Sequence, residues 1–471
     1  MGTSDMVFLS ATELSARMKA GELSPLEVTE AYLERIAAVD SKVNSYVTLC
    51  ADEALEAARQ AGSEIAAGRY RGPMHGVPIA IKDQIHTEGI LTTDGSRVRA
   101  GFIPQEDATV VTRLKDAGAV LLGKLNMSEF ALGEPVSSLT GPARNPWDLE
   151  RTPGGSSTGS GAATAAFLCA TSLGEDTGGS IRNPAANCGL AGLRPSWGRV
   201  SRYGVDGACW SIDTVGPISR TVSDCAMTLG AIAGHDPRDP YSSPAPVQDY
   251  LGGLTGDVKG LRVGLVREFL DTPDLGVGQA TRDAVLSAAE VLRGQGADVM
   301  DVSLPMVVFS GPVTRTISHV ERVSIHPDWL RERGEEHHYV TRVGFTTANL
   351  LPGHVYLKAL RLREMIRREV LGAFDRVDVL VHPIASAPAG RLVEHPTVAS
   401  KEQAYAALVE GSFRGPYSLS GAPAICVPCG FEDGLPLSLQ IAGRPFDEPT
   451  VLRAAHAYEQ ATEWHRRRPP I

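Results

Sequence analysis

Between residues 154 and 184 the chain reads in a way that few folds can accommodate. It runs Gly154-Gly155-Ser156-Ser157-Thr158-Gly159-Ser160-Gly161, then an expected helix of small residues over 161–170, then Gly174-Glu175-Asp176-Thr177-Gly178-Gly179-Ser180-Ile181-Arg182-Asn183-Pro184. Glycine, serine and alanine in such numbers fill little volume, so their use is to bring backbone close to something else. The 49 glycines and 31 prolines of the whole chain point the same way, towards many turns and close approaches. Any fold proposed for the chain has to place this block at its centre and give it a purpose.

Four readings of residues 154–161 compete. A phosphate-binding loop lacks the Gly-Lys-Ser/Thr that would meet a phosphate. The segment Gly155-Ser156-Ser157-Thr158-Gly159 matches the G-x-S-x-G nucleophile elbow literally, but that elbow needs a strand directly before it, and Arg151-Thr152-Pro153-Gly154 is a poor strand. A flexible surface loop is the third reading. The fourth is half of a serine site, with Thr177-Gly178-Gly179-Ser180 as the other half. Two glycines before a serine free successive N–H groups to point into one concavity, as a developing oxyanion requires.

The flanks are of ordinary kind. The first 70 residues are helical in pattern: Ser10 with Glu13 reads as a capping box, and Ser24-Pro25-Leu26-Glu27 as a second with proline at the first helical position. Residues 77–81 read as a short buried strand ending at Lys82, 109–118 as a helix, and 119–122 as the next strand. From residue 261 the alternation resumes, with strands at 261–266, 297–302, 377–381, 424–427 and 437–441, and helices at 281–292 and 356–370. Strands alternating with helices at both ends predict an α/β sheet covered on both faces. No repeat or Ser/Pro linker divides the 471 residues, so one large domain is expected, with a helical region at 1–70, a catalytic core at 75–225, and the rest of the sheet and the substrate pocket at 226–471.

The central block, the upstream Val77-Pro78-Ile79-Ala80-Ile81-Lys82-Asp83 and the late GAPAICVPCGF and GLPLSLQIAGRPFDE segments resemble the amidase signature family of serine hydrolases. The resemblance covers nearly the whole chain. It implies a large mixed central β-sheet and a Ser–Ser–Lys triad in which the middle serine follows a cis peptide bond. Carried across, the nucleophile falls on Ser180, the bridging serine on Ser156 and the lysine on Lys82. The oxyanion hole then comprises the N–H groups of Thr177, Gly178, Gly179 and Ser180. Lysine serves as a base only when neutral, and Lys82 ends an apolar strand where burial would lower its pKa. Ser156, donor and acceptor at once, suits a relay. Ser157 is expected to be a hydrogen-bonding neighbour or a substrate contact, and Asp176 with Arg182 an ion pair bracing the loop.

The resemblance implies an enzyme that hydrolyses a carboxamide or an N-acyl or aryl amide through an acyl-enzyme on Ser180, with no cofactor and no metal. The rival within the family is the glutamine-hydrolysing A subunit of a tRNA-dependent amidotransferase. Against it, those subunits usually carry Tyr-Asp-Gly-Val/Ile-Arg-Tyr-Gly, whereas the corresponding region here reads Ile317-Ser318-His319-Val320-Glu321-Arg322-Val323. For it, Arg363 lies where that subunit has an arginine for the glutamine carboxylate, although a surface helix residue is an equal reading. A rival from another class is an α/β-hydrolase-type esterase built on Ser157; another is a non-catalytic binding module. In 303–420 no pattern is legible; Phe309, Ile317, Phe345 and Tyr417 read as pocket or as core.

The partner expected is a small-molecule amide. A formal charge of −10 argues against nonspecific attraction of nucleic acid, so none is expected, and no membrane contact is expected either, while a homodimer stays open. Seven scattered cysteines form no disulfide framework, and residues 1–20 show no signal peptide, so the cytoplasm is the expected location. The lone Cys426–Cys429 pair and His337-His338 carry no metal motif.

Overall fold

In the computed structural model, which describes residues 3–133, 135–393, 397 and 400–471, the apolar run before Lys82 becomes a strand at the heart of an eleven-stranded mixed sheet. In chain order the strands are β1 (Tyr46–Leu49), β2 (Pro78–Lys82), β3 (Val120–Leu125), β4 (Thr171–Asp176), β5 (Ala191–Arg194), β6 (Thr214–Ser219), β7 (Arg262–Val266), β8 (Asp298–Val302), β9 (Val379–Pro383), β10 (Ala424–Glu432) and β11 (Leu435–Gly443). Across the sheet they lie in the order β1-β3-β2-β4-β6-β5-β10-β11-β9-β7-β8. The β3-β2-β4 and β9-β7-β8 groups are parallel, and the other pairings are antiparallel. Every residue of β2, β4, β5, β6, β9 and β11 is buried. Alternate side chains leave opposite faces of a strand, so both faces of the sheet are covered. The α/β expectation therefore holds, and one sheet draws strands from all three regions of the chain.

Local chemistry explains the element ends. Ser10 accepts from Glu13 N at 3.1 Å while Glu13 Oε2 accepts from Ser10 N at 2.7 Å, a complete capping box. Ser24 accepts from Leu26 N at 3.2 Å, with Pro25 at the first helical position.

Three expectations need correction. Residues 46–49 are not helical: Tyr46–Leu49, short and rich in β-forming residues, forms the edge strand antiparallel to β3. The small-residue helix spans Thr158–Ala165, starting three residues earlier than expected, directly after the two serines. Residues 171–219 also contribute three inner strands, β4 to β6, that carry little apolar periodicity because neighbours cover them on both sides. The stretch 303–420, without legible pattern in the sequence, holds a long helix, Ser310–Ile325. Ile317, Phe345 and Tyr417 are core, and Phe309 is exposed. Among the described residues no helix is long and apolar enough to cross a membrane.

Candidate active site

β2 and β4 are parallel neighbours, paired Ile81 to Leu173, so Lys82 at the end of one lies beside Glu175 and Asp176 at the end of the other. Ligand sites in sheets with parallel strands form at the carboxyl ends. The helix Thr158–Ala165 packs against β2, β3 and β4 and sets the residues before it, Ser156 and Ser157, against the same edge. The peptide bond between Gly155 and Ser156 is cis. A Cβ on Gly155 would lie 2.3 Å from the Gly133 carbonyl oxygen, so the backbone approach requires glycine.

Lys82 is wholly buried. Its Nζ donates to Ser156 Oγ at 2.8 Å, and the Glu175 carbonyl oxygen and Glu175 Oε2 each lie 3.3 Å away. Burial lowers the Lys82 pKa, and the Glu175 carboxylate opposes that. Burial, with the nearby Asp213 charge, raises Glu175 in turn. The pair is thus pushed towards its uncharged forms. Thr177 Oγ1 links the group to a second acid, lying 3.0 Å from Glu175 Oε1 and 2.7 Å from Asp213 Oδ1 with one proton to give between them.

Ser180 stands beyond β4 at the mouth of a cavity of about 300 Å³, with Thr177, Gly178 and Gly155 also in its wall. It is 8% exposed. Ser156 Oγ and Ser180 Oγ share no hydrogen bond within 3.5 Å. The four N–H groups foreseen for an oxyanion are not equivalent: Gly179 N donates to Asp176 Oδ1 at 2.8 Å, while those of Thr177, Gly178 and Ser180 have no acceptor among the described residues. Gly179 takes φ +114°, a region that favours glycine.

Asp176 is the brace that the sequence suggested. Its carboxylate accepts from Arg182 Nε at 3.1 Å and from Arg194 Nη1 at 3.0 Å, all three side chains being buried. Burial alone would raise its pKa; the two guanidiniums outweigh that and hold it well below the usual carboxylate range. Arg182 continues to Gln440 Oε1 at 2.6 Å and Ser418 Oγ at 2.9 Å, tying the loop to the far half of the sheet.

Two expected contacts sit elsewhere. Ser157 is wholly buried, its Oγ within 3.3 Å of both the Glu175 carbonyl oxygen and the Glu175 N–H. It lies outside the cavity wall, and no strand precedes it, so neither a substrate contact nor the esterase elbow finds support in its position. Arg363 donates to Leu419 O at 3.0 Å, Ser211 Oγ at 3.1 Å and Ser211 O at 2.8 Å, and lies outside the wall as well. It ties its own helix, Gly353–Ala373, to the helix Gly415–Ser420 and to the turn at Ser211.

Sequence reasoning missed two residues. Glu175 was legible as a carboxylate ending a buried strand, where only pairing makes a charge tolerable. Arg322 is 3% exposed, and burial lowers its pKa. It belongs to the face Gly311, Thr314, Arg315, Ser318, Arg322 of the helix Ser310–Ile325, which lines the same cavity as Ser180. The i, i+3, i+4 spacing of small and polar residues was its signal.

A family model described as Amidase matches residues 27–452. The A subunit of glutamyl-tRNA(Gln) amidotransferase from Geobacter metallireducens is 44% identical over 97% of this chain and 98% of that protein. The native peptide amidase of Stenotrophomonas maltophilia shares the fold with a TM-score of 0.83 and 33% identity, over 98% of each chain. The A subunit of the Thermotoga maritima amidotransferase superposes with a TM-score of 0.81 and 30% identity, over 97% of this chain and 95% of that one. These names correct the expectation about partners. A small-molecule amide as the sole partner, with no nucleic acid and a homodimer left open, does not stand against a relative named as one subunit of an enzyme named for a tRNA. The net charge of −10 bears only on attraction to the whole surface, and not on what a partner subunit would bring.

Proposed function

This chain belongs to the amidase family and is a hydrolase of carbon–nitrogen bonds, and we propose that Ser180 attacks a carboxamide and releases ammonia through an acyl-enzyme. The observation that carries this reading is the 2.8 Å contact of the wholly buried Lys82 Nζ with Ser156 Oγ, one residue beyond the cavity wall that holds Ser180. Neutral Lys82 takes the proton of Ser156 as Ser156 takes that of Ser180, and the Ser180 oxygen adds to the amide carbon. The relay closes when the substrate seats and the Ser180 hydroxyl turns to Ser156; such contacts tighten in the substrate complex. The negative oxygen that forms is received by the N–H groups of Thr177, Gly178 and Ser180. The proton returns through Ser156 to the leaving nitrogen, ammonia departs, and water repeats the sequence on the acyl ester.

The destination of the ammonia separates two readings. The 44% identity to the A subunit of an amidotransferase over nearly the full length favours an ammonia-producing subunit that works with a partner on an aminoacyl-tRNA. The wall helix, with Ile317-Ser318-His319-Val320-Glu321-Arg322-Val323 in place of the Tyr-Asp-Gly segment of such subunits, and Arg363 spent on the fold, favour an amidase with its own substrate. All seven cysteines are free and buried, which supports a reducing compartment such as the cytoplasm.

The experiment is ammonia release from glutamine, asparagine, aliphatic amides and aryl-acetamides, with Ser180→Ala as control. Turnover lost in Ser180→Ala is expected. Glutamine turnover alone, rising when a partner is added, selects the amidotransferase reading; turnover of other amides by the lone chain selects the amidase. Turnover equal in Ser180→Ala overturns the site itself.

A further inference from the structure

The cavity that Ser180 lines carries more positive charge than the fold uses. Its charged side chains, among the described residues, are Arg315, Arg322, Arg414 and Glu410. Glu410 and Arg414 pair with each other at 3.4 Å, and Ser386 Oγ donates to Glu410 at 2.7 Å. Arg315 is exposed on the same helix face as Arg322 and pairs with nothing among the described residues. Arg322 is the anomaly: at 3% exposure it donates from Nη2 to Ala131 O at 3.0 Å, and among the described residues its buried Nε has no acceptor and no carboxylate pairs with it. A buried guanidinium with unused donors is costly unless an anion completes it. Arg182 and Arg194 show the usual solution in the same protein, sharing the Asp176 carboxylate.

We propose that the acyl part of the substrate carries a carboxylate, which docks on Arg322, with Arg315 at the cavity mouth as a second cation. The substrate class is a monoamide of a dicarboxylic acid. Water and the monoamide give ammonia and the dicarboxylate, the Ser180 ester being the intermediate. A carboxylate suits Nη1, the terminal nitrogen that makes no hydrogen bond among the described residues and is not closed off as Nε is. The lining offers little for an ammonium group, because its one carboxylate among the described residues, Glu410, is already shared by Arg414 and Ser386. An α-amino acid such as glutamine is therefore received less well than the same skeleton without its amine. Arg322 acts here as a specificity residue, and the inference rests on Ser180 as the point of attack.

The test compares malonamate, succinamate and glutaramate with propionamide, butyramide and pentanamide, following ammonia release by the full chain. At least one charged amide is expected to exceed its neutral counterpart in kcat/KM by tenfold or more. Arg322→Met brings that ratio close to one, and Arg322→Lys restores part of it. Equal rates for charged and neutral amides, or a ratio unmoved by Arg322→Met, overturn the proposal while leaving Ser180 chemistry standing. If neither set is hydrolysed, calorimetric binding of malonate, succinate and glutarate decides: binding weakened at least tenfold by Arg322→Met upholds the anion site, and absent or unchanged binding removes it. Labelling of Ser180 by a fluorophosphonate, lost in Ser180→Ala, reports separately on the parent reading.

Discussion

Two lysines on adjacent strands are wholly buried, and they do different work. Lys82 ends β2, and Lys124 lies on β3 opposite Ile81. Burial lowers the pKa of both. Lys124 Nζ is held by the Ile85 carbonyl oxygen and Thr92 Oγ1, each at 2.6 Å, with Asp83 Oδ1 at 3.8 Å. The Ile85 carbonyl oxygen can only accept, which suits an ammonium ion; Thr92 brings a hydroxyl as Ser156 does, and burial moves Asp83, as it does Glu175, towards its neutral form. Lys82 meets a serine hydroxyl one residue from the wall of the cavity that holds Ser180, whereas none of Asp83, Ile85 and Thr92 lies in that wall. Burial, then, does not by itself make a base; a hydroxyl partner set beside the cavity does.

The largest way to break this contrast is substitution of the two lysines in turn. Lys82→Met is expected to lower kcat/KM for ammonia release by roughly 10⁴-fold, the upper range for loss of a general base. Retention of more than a tenth of wild-type activity would sink its role. Lys124→Met should do the converse. It leaves Asp83 buried without its cation, so urea unfolding should show a loss of about 3 kcal/mol, whereas kcat/KM per folded molecule stays within about threefold. A smaller effect sharpens the comparison. The Glu175 carboxylate raises the Lys82 pKa, so Glu175→Gln should lower it further and carry the acid limb of the pH–kcat/KM profile to lower pH. An unmoved limb would mean that Glu175 is already neutral where the enzyme works. The smallest expected effect is on Lys124→Met, whose acid limb should coincide with that of the wild type.

How far the sequence could be read follows the same divide between local and distant causes. Strands β2 and β7 announce themselves as apolar runs, and the capping box at Ser10 depends on residues three apart. Strands β4 to β6 do not, since their burial comes from neighbours far along the chain and their own residues are small or polar. Lys82, Ser156 and Ser180 were legible through the family resemblance, and the structure puts the first two in contact. The even set of four oxyanion donors was not: that the Gly179 N–H turns to Asp176 is a matter of loop geometry. Arg363 stands in the sequence where the family has an arginine but spends its donors on Leu419 and Ser211. Arg322 went unnoticed because an arginine within a polar helix reads as solvated, and only the packing of Ser310–Ile325 over the cavity buries it.

The cavity is built from two separate lengths of chain: the proposed reacting groups all precede residue 183, and the second length of wall comes from residues 311–414. Inheritance can therefore act on them apart. A codon change on the wall alters which compound is accepted while the proton relay is copied unaltered, so a directed library confined to Thr314, Arg315, Ser318, Arg322, Leu408 and Gly411 would sample new substrates on an intact reaction. A scaffold divided in this way can diversify its diet without having to reinvent its chemistry.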